Sequence, residues 1–114
     1  MKFSDLSGLP VRIAIYIPST YDVDKPINNS YIVERTAKLF SMLYGGCTAQ
    51  ESCGYYVANN NDLIQEKVTI VFSYTDNDTF AKHEEKVLQY AKTVKKEMKQ
   101  ESVSIELNNS LYFI

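Results

Sequence analysis

The sequence predicts an α+β domain of the ferredoxin-like type, a β-α-β-β-α-β sandwich with two helices on one face of an antiparallel sheet. Three observations predict it. The hydrophobic period along the chain runs alternating, helical, alternating twice, helical, alternating. At 114 residues with 45% apolar and 23% charged content, the chain has material for one core and one domain. A short apolar tail, Leu111 to Ile114, follows a polar Asn108-Asn109-Ser110 turn and predicts an extra C-terminal edge strand.

Residues 1–10 read as an N-terminal arm punctuated by Gly8 and Pro10, and residues 11–114 as the single domain. In the first strand Val11, Ile13, Ile15 and Ile17 alternate with Arg12, Ala14 and Tyr16 until Pro18 stops the run. Residues 18–30 are a polar loop with two prolines, long enough to suggest a functional segment. The first helix spans about Tyr31 to Tyr44, capped by Asn29 or Ser30, and Gly45-Gly46 supplies a left-handed stop. Its apolar face carries Val33, Ala37, Phe40 and Tyr44, widened by Leu39 and Leu43.

Residues 47–54 show no clear period. A second strand is expected over Gly54 to Ala58, a turn at Asn59–Asp62, and a third strand over Val68 to Tyr74 that could begin at Leu63. The second helix is the strongest local signal. Thr75 and Asp78 resemble a capping box, and Phe80, Glu84, Val87, Ala91, Val94 and Met98 keep helical spacing. Asp76 and Asp78 at its start and Lys95, Lys96 and Lys99 at its end suit the helix dipole. Val103, Ile105 and Leu107 then alternate as the fourth strand.

Right-handed crossovers predict the strand order 4-1-3-2, with the fifth strand beside the fourth. Both helices should then cover Ile13, Ile15, Ile70, Phe72, Ile105 and Leu107. The opposite face would carry Arg12, Ala14, Tyr16, Thr69, Val71, Ser73, Ser104, Glu106 and one of Tyr55 or Tyr56. Tyrosine among small residues is a composition suited to wet, adaptable contacts.

A net charge of −2 argues against nonspecific nucleic-acid binding. No apolar run approaches the roughly 20 residues needed to cross a bilayer, and Met1–Asp5 lacks a signal-peptide core, so no membrane contact and a cytoplasmic location are expected. Cys47 and Cys53 read as two reduced thiols of a reducing compartment; a bridge would need a turn at Gln50-Glu51-Ser52, because a straight strand would hold their Cα atoms ~20 Å apart. No cofactor motif is present. Asp22 and Asp24 form an Asp-x-Asp pair without the continuation of a calcium loop, so no metal is expected. His83 lies off the helical stripe and reads as solvent-exposed, and no histidine is near Ser52-Cys53-Gly54 in sequence to activate a nucleophile. No catalytic residue is assigned.

The expected site is a ligand- or partner-binding one. The topology sets the 18–30 loop beside the Asn59–Asp62 turn and the end of the second helix, so Tyr21, Asp22, Asp24 and Lys25 could meet Asn60 and Lys96. Free backbone N–H groups at the start of the first helix would favour a small anionic ligand there. Tyr16 and Arg12 on the sheet face are the second candidate surface.

At Gly45-Gly46-Cys47-Thr48, Gly54-Tyr55-Tyr56, Leu63-Ile64-Gln65-Glu66-Lys67-Val68 and Gln100-Glu101-Ser102-Val103 the chain resembles a family of uncharacterised small bacterial and phage-borne proteins. The resemblance covers roughly residues 11–107. It implies the ferredoxin-like fold and no activity, and it implies a phage or mobile-element setting, in which the host's cytoplasm would be the location. The resulting expectation is a non-enzymatic binding protein that contacts a host macromolecule, such as a defence component it inhibits, or sequesters a small anionic ligand. The alternative is a small enzyme of the dimeric α+β-barrel type, in which paired sheet faces enclose an active cavity. A homo-oligomer is expected in either case, because exposed edges and adaptable faces both invite partners.

Overall fold

A computed structural model of the protein covers residues 1–114. After a 3-10 turn at Phe3–Asp5 the elements run β1 (Val11–Pro18), β2 (Thr20–Tyr21), β3 (Lys25–Pro26), α1 (Ser30–Tyr44), β4 (Thr48–Val57), β5 (Leu63–Thr75), α2 (Asn77–Glu97), β6 (Ser104–Leu107) and β7 (Ser110–Phe113). The main sheet has the order β4-β5-β1-β6-β7 with every neighbouring pair antiparallel. This is the ferredoxin-like order, with the C-terminal strand added at the edge as the sequence predicts. No helix is long and apolar enough to cross a membrane.

The core lies between the sheet and both helices. Ile13, Ile15 and Ile17 of β1 and Ile105 of β6 meet Phe40 of α1 and Val87, Ala91 and Val94 of α2, all buried. Each large apolar side chain removed from water there contributes about 1.5–3 kcal/mol. Gly45 ends α1 at φ +83°, the left-handed conformation that glycine adopts at low cost, and its N–H bonds the Ser41 carbonyl.

Several local expectations change. The β4 strand starts at Thr48, six residues earlier than expected, and its period was hidden because nearly all of its side chains are exposed on this sheet edge. It runs straight through Cys53, and both cysteines are free thiols. The cap of α2 is Asp76, whose side chain accepts from the Thr79 N–H at 2.7 Å, while Thr75 is buried at the end of β5. His83 is half-buried and packs edge-on against Tyr44, with ring centroids 6.1 Å apart. The 18–30 loop contains its own hairpin, β2 with β3, turned by Asp22 and Val23 at φ +54° and +72°.

The facing of β5 is the reverse of the expected one. Ile15 stands opposite Val71 and Ala14 opposite Phe72, and opposite residues of an antiparallel ladder share a face. Val71, Ser73 and Thr75 therefore turn under the helices and are buried, whereas Ile70, Phe72 and Tyr74 lie on the open side. The Ser73 hydroxyl is satisfied there by the Gly46 carbonyl at 2.6 Å. Apolar residues on both faces of the segment 68–74 left its alternation ambiguous.

Finally, β5 pairs with β1 only over Val68–Thr75, while its pairing with β4 continues to Val57 and Leu63. The outer part of the β4–β5 hairpin consequently projects beyond β1 and forms one wall of a groove.

Candidate functional site

The open face of the sheet carries a built polar cluster. Glu106 stands opposite Ala14, diagonal to both Arg12 and Tyr16. Its Oε2 accepts from the Arg12 Nε at 3.2 Å and its Oε1 accepts from the Tyr16 hydroxyl at 2.9 Å. The Arg12 guanidinium lies 3.9 Å from the centroid of the Phe72 ring, a cation–π stack on the neighbouring strand. Ala14, fully buried beneath this cluster, is small enough to let Arg12 and Glu106 lie flat across the sheet.

Electrostatics follow from that packing. Burial raises the Tyr16 phenol above its ordinary value, and the adjacent Glu106 carboxylate raises it further against the opposing effect of Arg12. Burial works against the charged form of Arg12, but Tyr74 and Glu106 outweigh it and the net shift is upward. At neutral pH the phenol keeps its proton for Glu106.

From Tyr16 the open face runs into a groove. Its inner hollow, about 170 Å³, is bounded by Tyr16, Gly54, Glu66, Val68, Gln100 and Ser104. An outer hollow of about 630 Å³ shares Ser19, Thr20, Glu66 and Lys67 with it and extends to Asp24, Pro26, Tyr56 and Ile64. One wall is the projecting hairpin and the other is the start of the 18–30 loop. The Ser19 hydroxyl ties the walls together by donating to the Lys67 carbonyl at 2.6 Å. Gln100 holds the loop from below, its side-chain amide donating to the Thr20 carbonyl at 2.9 Å. Tyr56 and Glu66 meet on the hairpin, hydroxyl to Oε1 at 3.5 Å. Among the salt bridges of the chain none involves Glu66, so apart from the Tyr56 hydroxyl its carboxylate has no partner and can face a cation in the groove.

The expected site residues are only partly brought together. Tyr16 and Arg12 belong to the cluster, and Asp24 lines the outer hollow. Tyr21 packs toward the end of α2, under the Lys99 ammonium at 5.4 Å from its ring centroid. Asp22 and Lys25 pair with each other at 3.5 Å with side chains 50% and 67% exposed, an interaction that water largely screens. Asn60 sits at the hairpin tip, bonded to Asp62, and neither it nor Lys96 lines any of the hollows beside the loop. The position expected of Lys96 is occupied by Lys99. The N–H of Ser30 is taken by the Asn28 side chain, which removes one donor from the anion site expected at the start of α1. No three His, Cys, Asp or Glu side chains converge as a metal site.

Glu66, Tyr56 and Glu106 were not among the expected site residues. Counting outward from the Asn59–Asp62 turn would have paired Tyr56 with Ile64 and Gly54 with Glu66, placing Tyr56 and Glu66 on one face. The role of Glu106 needed the β1–β6 register, which sequence alone does not supply.

No family model and no curated protein matches the sequence. Two solved structures share the fold. One is a phage SAM lyase in complex with S-methyl-5′-thioadenosine, 17% identical, with a TM-score of 0.66 over 96% of this chain and 92% of that one. The other is a phage SAM lyase in the apo state, 18% identical, with a TM-score of 0.67 over 96% of this chain and 91% of that one. Both are named for an enzyme. That counts against the expectation of a non-enzymatic binding protein or inhibitor and favours its alternative, a small enzyme of the dimeric α+β-barrel type.

Proposed function

We propose that this chain is a lyase acting on S-adenosylmethionine or a closely related sulfonium nucleoside, with the open-face groove as its active site. The observation that supports this most is the groove itself: on a fold shared with two SAM lyase structures, the carboxylate of Glu66, paired with no cation, lines both of its hollows, one with Tyr16 and the other with Tyr56. Carboxylates and phenol oxygens attract a cationic substrate, and the apolar edges of Val68, Ile64 and Pro26 suit the face of a base.

The chemistry asks little of the protein beyond this. Breaking the bond between sulfur and the four-carbon amino-acid fragment places the electron pair on sulfur, cancels its positive charge and leaves a neutral thioether. The fragment balances by losing a proton or by bonding to its own carboxylate, with no water added. This chain's residues would bind and orient the substrate: Glu66 holds hydrogen-bond donors of the ligand at the centre, and Tyr16 faces it from the inner end. Closing the groove against water by a second copy would also favour a step in which charge is neutralised.

We also propose that two or more copies pair to close the groove. Only 16 of 114 residues are buried, while Tyr55, Tyr56, Val57, Leu63, Tyr112 and Phe113 are each more than half exposed. Both edges of the sheet, β4 and β7, are unpaired.

The test is incubation of the purified protein with S-adenosylmethionine and analysis by liquid chromatography and mass spectrometry. S-methyl-5′-thioadenosine should accumulate well above the protein-free background, and Glu66→Ala should lower the rate by about 10-fold or more. A folded wild-type protein that leaves the substrate at background decay overturns the assignment.

A further inference from the structure

We infer that Arg12 is a positioning residue which, through Glu106, turns the proton of Tyr16 away from the groove so that the phenol presents its lone pairs to the α-ammonium of the substrate. This rests on reading the groove as a site for a SAM-type substrate, and it adds a specificity element to that site.

The argument is one of hydrogen-bond inventory. A carboxylate only accepts, so in the 2.9 Å contact with Glu106 the Tyr16 hydroxyl is the donor. Its one proton is thereby used, and what remains toward the inner hollow, which Tyr16 lines, is acceptor capacity. An acceptor there matches a ligand group that donates, and among the parts of a sulfonium nucleoside the ammonium donates most strongly. Glu106 could not hold this orientation alone. Its second oxygen is tied to Arg12 Nε at 3.2 Å, with the two side chains only 24% and 22% exposed. Arg12 in turn is fixed by its stack on Phe72 at 3.9 Å, a planar contact that lysine cannot reproduce. The chain Phe72–Arg12–Glu106–Tyr16 thus fixes one rotamer and one proton position at the mouth of the hollow.

The ionisable groups around this phenol are Arg12 on its own strand, Glu106 on β6, and Glu66 and Lys67 on β5. Arg12 alone among these lowers the Tyr16 phenol, while Glu106 raises it. Without the guanidinium to hold Glu106 in place its hydrogen bond to Tyr16 is lost, and because that bond raises the phenol more than Arg12 lowers it, the Tyr16 titration should fall back toward its ordinary value.

The experiment uses Arg12→Gln and Arg12→Lys in the full chain, each confirmed folded by its melting temperature. Kinetics are measured with S-adenosylmethionine and with an analogue whose α-amino group is replaced by hydrogen. In Arg12→Gln, KM for S-adenosylmethionine should rise about 10-fold with kcat changed by less than about 3-fold, while the analogue should be handled as by wild type. Arg12→Lys, which keeps the charge without the fork and stack, should fall between. Carbon-13 tyrosine NMR, with Tyr16 assigned through Tyr16→Phe, should show its titration moved to lower pH in Arg12→Gln. Parallel losses on substrate and analogue, or a Tyr16 titration unchanged or raised by Arg12→Gln, overturn the inference. A wild type without turnover overturns the functional reading instead, and the NMR titration then still decides whether Arg12 controls Tyr16.

Discussion

Ala14 and Phe72 stand opposite each other in the β1–β5 ladder, and that pairing sets the Phe72 ring beneath the Arg12 guanidinium instead of beneath the helices. One residue of register decides whether a large aromatic serves the core or the site.

The stability consequence is a contrast between neighbours. Ile15 is completely buried in the core, so Ile15→Ala should cost about 2–5 kcal/mol, a large part of the 5–15 kcal/mol that holds a domain folded. Phe72→Leu keeps the apolar cover of the open face and should shift the melting temperature by less than about 4 °C while weakening the Arg12 stack. Urea titrations of both variants test this. The reverse ranking would return Phe72 to the helix side.

Two tyrosines on the helix side should respond in opposite directions. The Tyr90 hydroxyl bridges the helices, meeting Thr36 Oγ1 at 2.6 Å and accepting from Arg35 Nε at 3.3 Å, and Arg35 also grips Glu97 with both terminal nitrogens. Tyr90→Phe should cost about 1 kcal/mol. The Tyr44 hydroxyl is buried without a partner, so Tyr44→Phe should be neutral or stabilising by up to about 1 kcal/mol at neutral pH.

Tyr44 adds a pH signature. Burial, with a smaller contribution from Glu84, pushes its phenol up from 10.0 to about 12. A raised acid binds its proton more tightly when folded, so this contribution is full below pH 10 and is lost as pH rises toward about 12. Wild type should lose stability across that window more steeply than Tyr44→Phe in guanidinium melts at fixed pH. Equal slopes would show that the hydroxyl reaches solvent.

Assembly gives the last prediction. Light scattering at micromolar concentration should return at least twice the 13.0 kDa of one chain. Charged substitutions at Val57 and Phe113, both exposed on the outer strands, should reduce that mass without unfolding the protein. A mass of one chain in the wild type removes the proposed pairing.

Much of the fold is legible in the sequence. Both helices, the left-handed stop at Gly45 and the strand order follow from local periods, αL-tolerant residues and crossover handedness, all of which short windows or simple topology determine. The stripes of Phe40 and of Val87, Ala91 and Val94 are buried where the spacing puts them. The edge strand β4 was less legible, because a strand exposed on both sides has no alternation to read.

The candidate site was far less legible. Tyr16 and Arg12 could be placed on one face from the β1 alternation alone, but their partner Glu106 lies 90 and 94 residues away in the chain. Loop residues chosen for their chemistry, Tyr21, Lys25 and Asn60, were drawn elsewhere by Lys99, Asp22 and Asp62. By itself the sequence determined which segments are helix and strand and which helix faces are apolar, because backbone sterics and the 3.6- and 2-residue periods act over a few neighbours. Only the tertiary structure decided the face of Phe72, the meeting of Glu106 with Arg12 and Tyr16, and the groove between the hairpin and the 18–30 loop. These depend on register between strands distant in sequence, where a shift of one residue moves every side chain to the opposite face.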